Sequence, residues 1–311
     1  MKRLVNIDII KFLSIIVMVI DHMILVLAKG QLNIPQSLFF AYVPLCQMGF
    51  LFSSGYLMAL SFNKKKFNKY VFRIALFVLL FLLMTFLTNE KIISAGSILL
   101  NFAVSIAISL FFLYRNKLKD LIVFTALLFG LDIIWQILMY YDISALNNIM
   151  SNYPYPINSF SLYFFVGIIL FYYKDKVGVF FKTKLAKWAS ITLLVLYSYI
   201  FYIGIYVNDY SYYQHLPVLL LASMFIGLYF FYHWENTKLP QAIHLVIINI
   251  ADALLYIYVI HYIILFRWLT NYNLNWWQLS IIIIFIIVFS IGLQNFVNYI
   301  RKALFKSSVK I

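Results

Sequence analysis

About ten apolar runs, most of them close to 20 residues long, follow one another along the 311-residue chain with only short charged or turn-rich breaks between them. Few folds tolerate that pattern, because each run coiled as an α-helix matches the hydrocarbon thickness of a bilayer. In hydrocarbon every backbone N–H and C=O must be paired within the protein, which restricts spanning structure to helices or closed barrels. The alternation of a barrel strand is missing, so helices are expected. The runs fall near residues 6–28, 37–62, 71–87, 92–114, 121–141, 158–173, 188–207, 216–233, 245–266 and 279–299. Charged residues make up 11% of the chain, where a soluble domain has roughly a quarter. The expected fold class is therefore all-α: a polytopic membrane helix bundle of about ten transmembrane helices, a single domain over residues 1–311.

Orientation follows from Lys and Arg, which cytoplasmic loops retain. With the amino terminus inside, the inner segments hold 20 of the 24: Lys2 and Arg3, Lys64 to Arg73, Arg115 to Lys119, Lys174 to Lys187, Lys238, and Arg301 to Lys310. The outer segments hold Lys29, Lys91 and Arg267, and Lys11 lies inside the first run. This alternation predicts both termini in the cytoplasm and a multi-pass protein of the cell membrane. The net charge of +14 then reflects topology and contact with anionic lipid. A nucleic-acid partner is not expected, since no soluble module carries a basic face. The longest break, Asp142 to Ile157, reads as an ordered outer loop or re-entrant cap. The one cysteine, Cys46, is read as a packed thiol. No cleavable signal is expected, because the first run carries Asp8, Lys11, Asp21 and His22.

Ionisable groups inside a span cost a few kcal/mol on insertion scales, so they are the first place to look for function. At about 100° per residue, Asp8, Lys11 and His22 share one face of the first helix, with His22 about 16 Å beyond Lys11 toward the outer half. Two readings of that face stand. Asp8 and Lys11 neutralise each other while His22 packs across the bundle, or the face is a site with a cation at its inner end and a titratable imidazole beyond midplane. Asp21 points about 80° away from Lys11 and either orients a histidine or caps the outer end. The ninth run adds Asp252, Tyr258 and His261, with His261 at a level comparable to His22 and Asp252 on the opposite face. Asp132, near Trp135 and Gln136, reads as a helix–helix hydrogen bond. No HExxH, CxxC, nucleophile elbow or P-loop occurs, and no metal is expected.

Three stretches resemble the acyltransferase 3 family of membrane acyltransferases. Ile7 to His22, IDIIKFLSIIVMVIDH, is similar to that family's first helix: an acidic residue, a basic one three later and a histidine eleven further on, here Asp8, Lys11 and His22. Lys11 stands where the family has Arg. Gly49 to Met58, GFLFSSGYLM, resembles its Phe-Phe-x-x-Ser-Gly-Phe segment, with Ser54 and Gly55 at the Ser-Gly, and the basic run Lys64 to Arg73 follows as in the family. Leu254 to Leu265, LLYIYVIHYIIL, resembles its late Tyr-Leu-x-His helix, with Tyr258 and His261 in register. The family's Arg-x-x-Arg-Pro is reduced to Arg73, and its Ser-Tyr to Leu254 and Leu255. The Asp21–His22 pair is also similar to related membrane acyltransferases that acetylate sugars.

The resemblance implies an O-acyltransferase that moves an acyl group, commonly acetyl, from cytoplasmic acetyl-CoA or another acyl-CoA to a hydroxyl of a cell-surface polysaccharide or lipid-linked glycan precursor. It implies His22, Asp8 and His261 as catalytic residues, Lys11, Arg73 and Lys69 as contacts to the donor phosphates, and Tyr258 and Ser54 at the substrate. An imidazole titrating near neutrality suits a general base or a transient acyl carrier. Two other classes remain open at this level: a transporter or flippase of glycan precursors, which also needs ionisable groups in a bundle, and a non-enzymatic scaffold.

Overall fold

A computed structural model describes residues 4–28, 43–88, 97–140, 157–207, 217–234, 239–269, 272 and 274–307. The Asp142 to Ile157 loop lies almost wholly outside the described residues, as do Lys2, Arg3, Lys29, Lys91, Lys238 and Lys310. The described chain is all-helical, with no strand among its residues. Its α-helices are α1 (Val5–Ala28), α2 (Val43–Ser61), α3 (Phe67–Thr88), α4 (Ser97–Tyr114), α5 (Leu118–Tyr140), α6 (Ile157–Phe181), α7 (Lys184–Val207), α8 (Pro217–His233), α9 (Gln241–Asp252), α10 (Leu254–Ile263) and α11 (Trp276–Ser307). A 3-10 turn, Lys64–Lys66, leads into α3, and a π-helical turn, Ile264–Leu269, extends α10.

Helix occurs in each apolar run, but one run is not a single rod. The run at 245–266 is broken at Ala253, where α9 and α10 meet at a 62° bend. Ala253 sits at φ −82°, ψ 1°, off the helical basin. With neither Pro nor Gly at the break, the run's apolarity gave no sign of it. By length and apolarity, Lys64–Leu87 and Trp276–Ile300 are the described helices able to cross a membrane alone, and the bent pair makes a third if taken as one span. The structure thus supports an all-helical chain with membrane-compatible helices, while ten spans remain an expectation of the sequence.

The outer faces of α3 and α11 are apolar. Phe72, Leu79, Leu82 and Phe86 on α3, and Trp277, Ile281, Phe285 and Val288 on α11, are exposed. Inside, α2 packs most extensively on α6 and next on α1. The α2–α6 contact depends on two glycines: a Cβ on Gly55 would collide with the Phe164 carbonyl, and one on Gly167 with the Phe52 carbonyl. Small residues let helix backbones approach closely where apolar burial between helices gives little drive. Polar links fasten other pairs: Ser105 donates to Ser161 (2.9 Å), Tyr163 and Ser223 share a hydrogen bond (3.0 Å), and Asn6 Nδ2 donates to the Phe231 carbonyl (3.1 Å).

The basic turns collect at one end. Lys64 Nζ lies 5.5 Å from the centre of the Tyr114 ring, which joins the turn before α3 to the end of α4. Tyr232 donates to the Lys174 carbonyl, and Asn6 reaches Phe231 one residue away, so the amino-terminal end of α1 and the basic stretch of α6 meet at the close of α8.

Candidate active site

The centre of the site is a pair of imidazoles. His22, on α1, is hydrogen-bonded through Nδ1 to Nε2 of His261, on α10, at 2.7 Å, and the rings stack at 5.0 Å between centroids. Both are buried, His261 completely. The bend at Ala253 and the packing of α10 against α1 bring them together.

The direction of this hydrogen bond follows from a third group. His261 Nδ1 lies 2.7 Å from the Ile257 carbonyl oxygen, which can only accept, so Nδ1 carries the proton. In a neutral ring Nε2 is then the acceptor, and His22 Nδ1 must donate to it. That fixes the tautomer of His22 in turn, leaving its Nε2 as the basic nitrogen. The carbonyl, through His261, thus holds the His22 ring in one tautomer and one orientation. On its basic side, His22 Nε2 is 3.9 Å from Asp21 Oδ2.

An aromatic cluster joins the pair to a cavity. Tyr258 lies edge-on to His261 at 5.8 Å, Tyr262 edge-on to His22 at 5.8 Å, and the two tyrosines stack. Tyr258 also lines a cavity of about 470 Å³ together with Lys11, Ser54, Tyr70 and Arg73. Its remaining wall is mainly apolar, including Phe77, Phe102, Leu254 and Leu255. Lys11 and Arg73 each stand about 9 Å along their helices from the basic end, since each is six residues past its helix start. Ile98 and Leu99, also in the lining, mark the opposite end of α4. The cavity therefore leads from two cations near the basic turns along an apolar wall, with Tyr258 linking it to the imidazoles.

Six of the eight residues singled out from the sequence thus fall in two connected groups: His22 with His261, and Lys11, Arg73, Ser54 and Tyr258 around the cavity. Asp8 is buried on α1 about 21 Å along the helix from His22, so it stands apart from the imidazole pair. Lys69 is exposed at the basic end and does not line the cavity. Asp252 is exposed at the bend, away from buried His261, and Asp132 is fully buried in α5. Sequence reasoning missed Tyr262 and left the role of Asp21 undecided. The signal for Tyr262 was its place beside His261, hidden among the abundant tyrosines. No group of three or more potential metal ligands occurs among the described residues.

Fold and site together define an all-helical bundle with apolar outer faces and a buried, directionally hydrogen-bonded histidine pair beside a cation-lined cavity. No family model matches the chain, and neither a curated protein nor a solved structure matches it.

Proposed function

We propose that this chain is a membrane-embedded O-acyltransferase, built on about ten spans with both termini in the cytoplasm. It moves an acyl group, proposed as acetyl, from cytoplasmic acyl-CoA to a hydroxyl of a cell-surface polysaccharide or lipid-linked glycan precursor. The observation that carries this reading is the His22–His261 pair, its basic nitrogen set by the Ile257 carbonyl and linked through Tyr258 to the cavity with Lys11 and Arg73.

Transfer from a thioester to an alcohol needs a base at the acceptor and positive charge for the donor's phosphates. His22 Nε2 takes the hydroxyl proton as the alcohol oxygen bonds to the acyl carbon. The C–S bond breaks, and the thiolate leaves and regains a proton from the imidazolium. Positive charge on His22 is shared with His261 through the 2.7 Å hydrogen bond. Lys11 and Arg73 meet the phosphates, Arg73 with its planar fork and Lys11 as a point charge. Ser54 and Tyr258 line the way between, where a hydroxyl on an otherwise apolar wall orients a passing amide or thioester.

One observation favours the transporter or flippase reading: the span interrupted at Ala253, since discontinuous helices surround many transport sites. Transfer of labelled acetyl from acetyl-CoA to glycan in membranes containing the protein separates the two. Incorporation above protein-free membranes supports the enzyme, and its absence in folded protein removes that reading.

A further inference from the structure

The cavity beside Tyr258 is walled by α1, α2, α3, α4, α6 and α10, and its lining changes character along its length. The contact of Lys64 with Tyr114 puts the end of α2, the start of α3 and the end of α4 at one level, the basic end. Measured from there along each helix, Tyr70 stands about 4 Å in, Arg73 about 9 Å and Ser54 about 10 Å. Phe77 follows at about 15 Å, Phe102 at about 18 Å and Leu99 at about 22 Å. On these three helices the lining beyond Ser54 is wholly apolar. Rings make that upper wall firm: Phe77 and Phe102 stack at 5.3 Å, and Phe164 meets Phe102 edge-on at 6.2 Å.

Charge enters at the lower part. The Arg73 guanidinium lies 6.0 Å from the centre of the Tyr70 ring, and among the described residues it makes no ion pair with a carboxylate. A space of about 470 Å³ falls in the range that small-molecule ligands occupy, and an apolar cavity of about 150 Å³ already holds benzene. We propose that this cavity binds a single-chain amphiphile, with its anionic head at Arg73 and an apolar chain running past Phe77 and Phe102 to Leu99. The apolar stretch from Arg73 to Leu99 spans about 13 Å, room for a chain well beyond two carbons. Each methylene that leaves water for such a wall is worth about fourfold in affinity, so chain length sets how tightly the ligand is held. Two sources share this chemistry: a thioester donor with an acyl group longer than acetyl, and a lipid-borne phosphate. Binding of this kind requires no acyl transfer, so it goes beyond the reaction proposed above and does not depend on it.

Calorimetry on the purified full chain compares two series of probes: ethyl, butyl, hexyl and octyl phosphate, and acetyl-, butyryl-, hexanoyl- and octanoyl-CoA. In at least one series the longest member is expected to bind about tenfold or more tighter than the shortest, a part of the full gain per methylene because detergent also takes up chains. Arg73→Gln is expected to weaken every member of that series alike and to keep the gain with length. Leu99→Trp, or Leu99→Phe should tryptophan not fold, fills the far end and is expected to remove most of the gain from the hexyl to the octyl member. Comparing variants in one detergent cancels the chain's own partitioning. A gain among the alkyl phosphates alone identifies a lipid-borne head, a gain among the acyl-CoAs identifies the donor's own chain, and either one, lost in the Leu99 variant, upholds the site. Affinity independent of chain length in both series, a gain that the Leu99 variants leave intact, or Arg73→Gln binding as tightly as the parental protein would overturn it.

Discussion

Residues Lys11 and Arg73 come from helices far apart in sequence, yet both line one cavity at similar distances from the basic end. Their expected role is donor binding. Lys11→Ala and Arg73→Ala should each weaken acyl-CoA binding severalfold or more, measured by calorimetry on purified protein, while Lys11→Arg retains it because Arg offers the fork in place of the point charge. Unchanged affinity in both folded alanine variants removes the phosphate-binding role. In the proposed reaction His261 acts through His22, since its Nδ1–H on Ile257 makes its Nε2 the acceptor that holds the His22 ring in one tautomer. His261→Ala is expected to lower kcat on the order of 100-fold with donor affinity kept, and His261→Gln to recover part of it through an amide oxygen that accepts from His22. Equal kcat in His261→Ala and the parental protein would break the link between the rings. The levels of His22, Lys11 and His261 were legible in advance, because ionisable groups in apolar runs stand out and helical spacing gives their heights, whereas Ser54 was named only through the family resemblance. That His22 and His261 touch was not legible, since spacing along two helices says nothing of how those helices are rotated toward each other. The position of Asp8, far from both histidines, follows from the same helical rise that places Lys11 near the basic end.

Among the helices, the α2–α6 contact and the broken α9–α10 span do the positioning. Gly55 and Gly167 bring two backbones together, and a methyl on either meets a carbonyl that cannot give way without moving a helix. Gly55→Ala is expected to destabilise the fold by about 1–3 kcal/mol, the usual range for overpacking, seen as a lower thermal midpoint in detergent. A midpoint equal to the parental one would mean that the α2 and α6 backbones do not meet at this glycine. Apolarity and length foretold these helices well, because the signal is summed over many residues. They gave no warning of the 62° bend at Ala253, which arises from local backbone geometry rather than from a helix-breaking residue. That bend sets the course of α10, which carries both Tyr258 and His261, and so a feature hidden from the sequence shapes the site.

In the whole molecule, basic charge is divided unequally between two ends. Twenty of the 24 Lys and Arg lie on alternate segments, and those segments whose contacts are described meet at a common end. In intact cells, with Cys46 replaced, a cysteine at Lys66 is expected to resist a membrane-impermeant thiol reagent, while one in the Asp142 to Ile157 loop reacts. Labelling at Lys66 would reverse the orientation and detach the cavity from cytoplasmic donor. The most direct test joins the two ends through the imidazole pair. It measures transfer of labelled acetyl from acetyl-CoA to glycan in membranes bearing either the parental protein or His22→Ala at equal, folded abundance. Loss of about 100- to 10,000-fold in rate, with acyl-CoA binding intact, is the expected result, because positioned proton transfer contributes that much and the cations lie elsewhere on the bundle. A folded His22→Ala protein that transfers acetyl at close to the parental rate would contradict it.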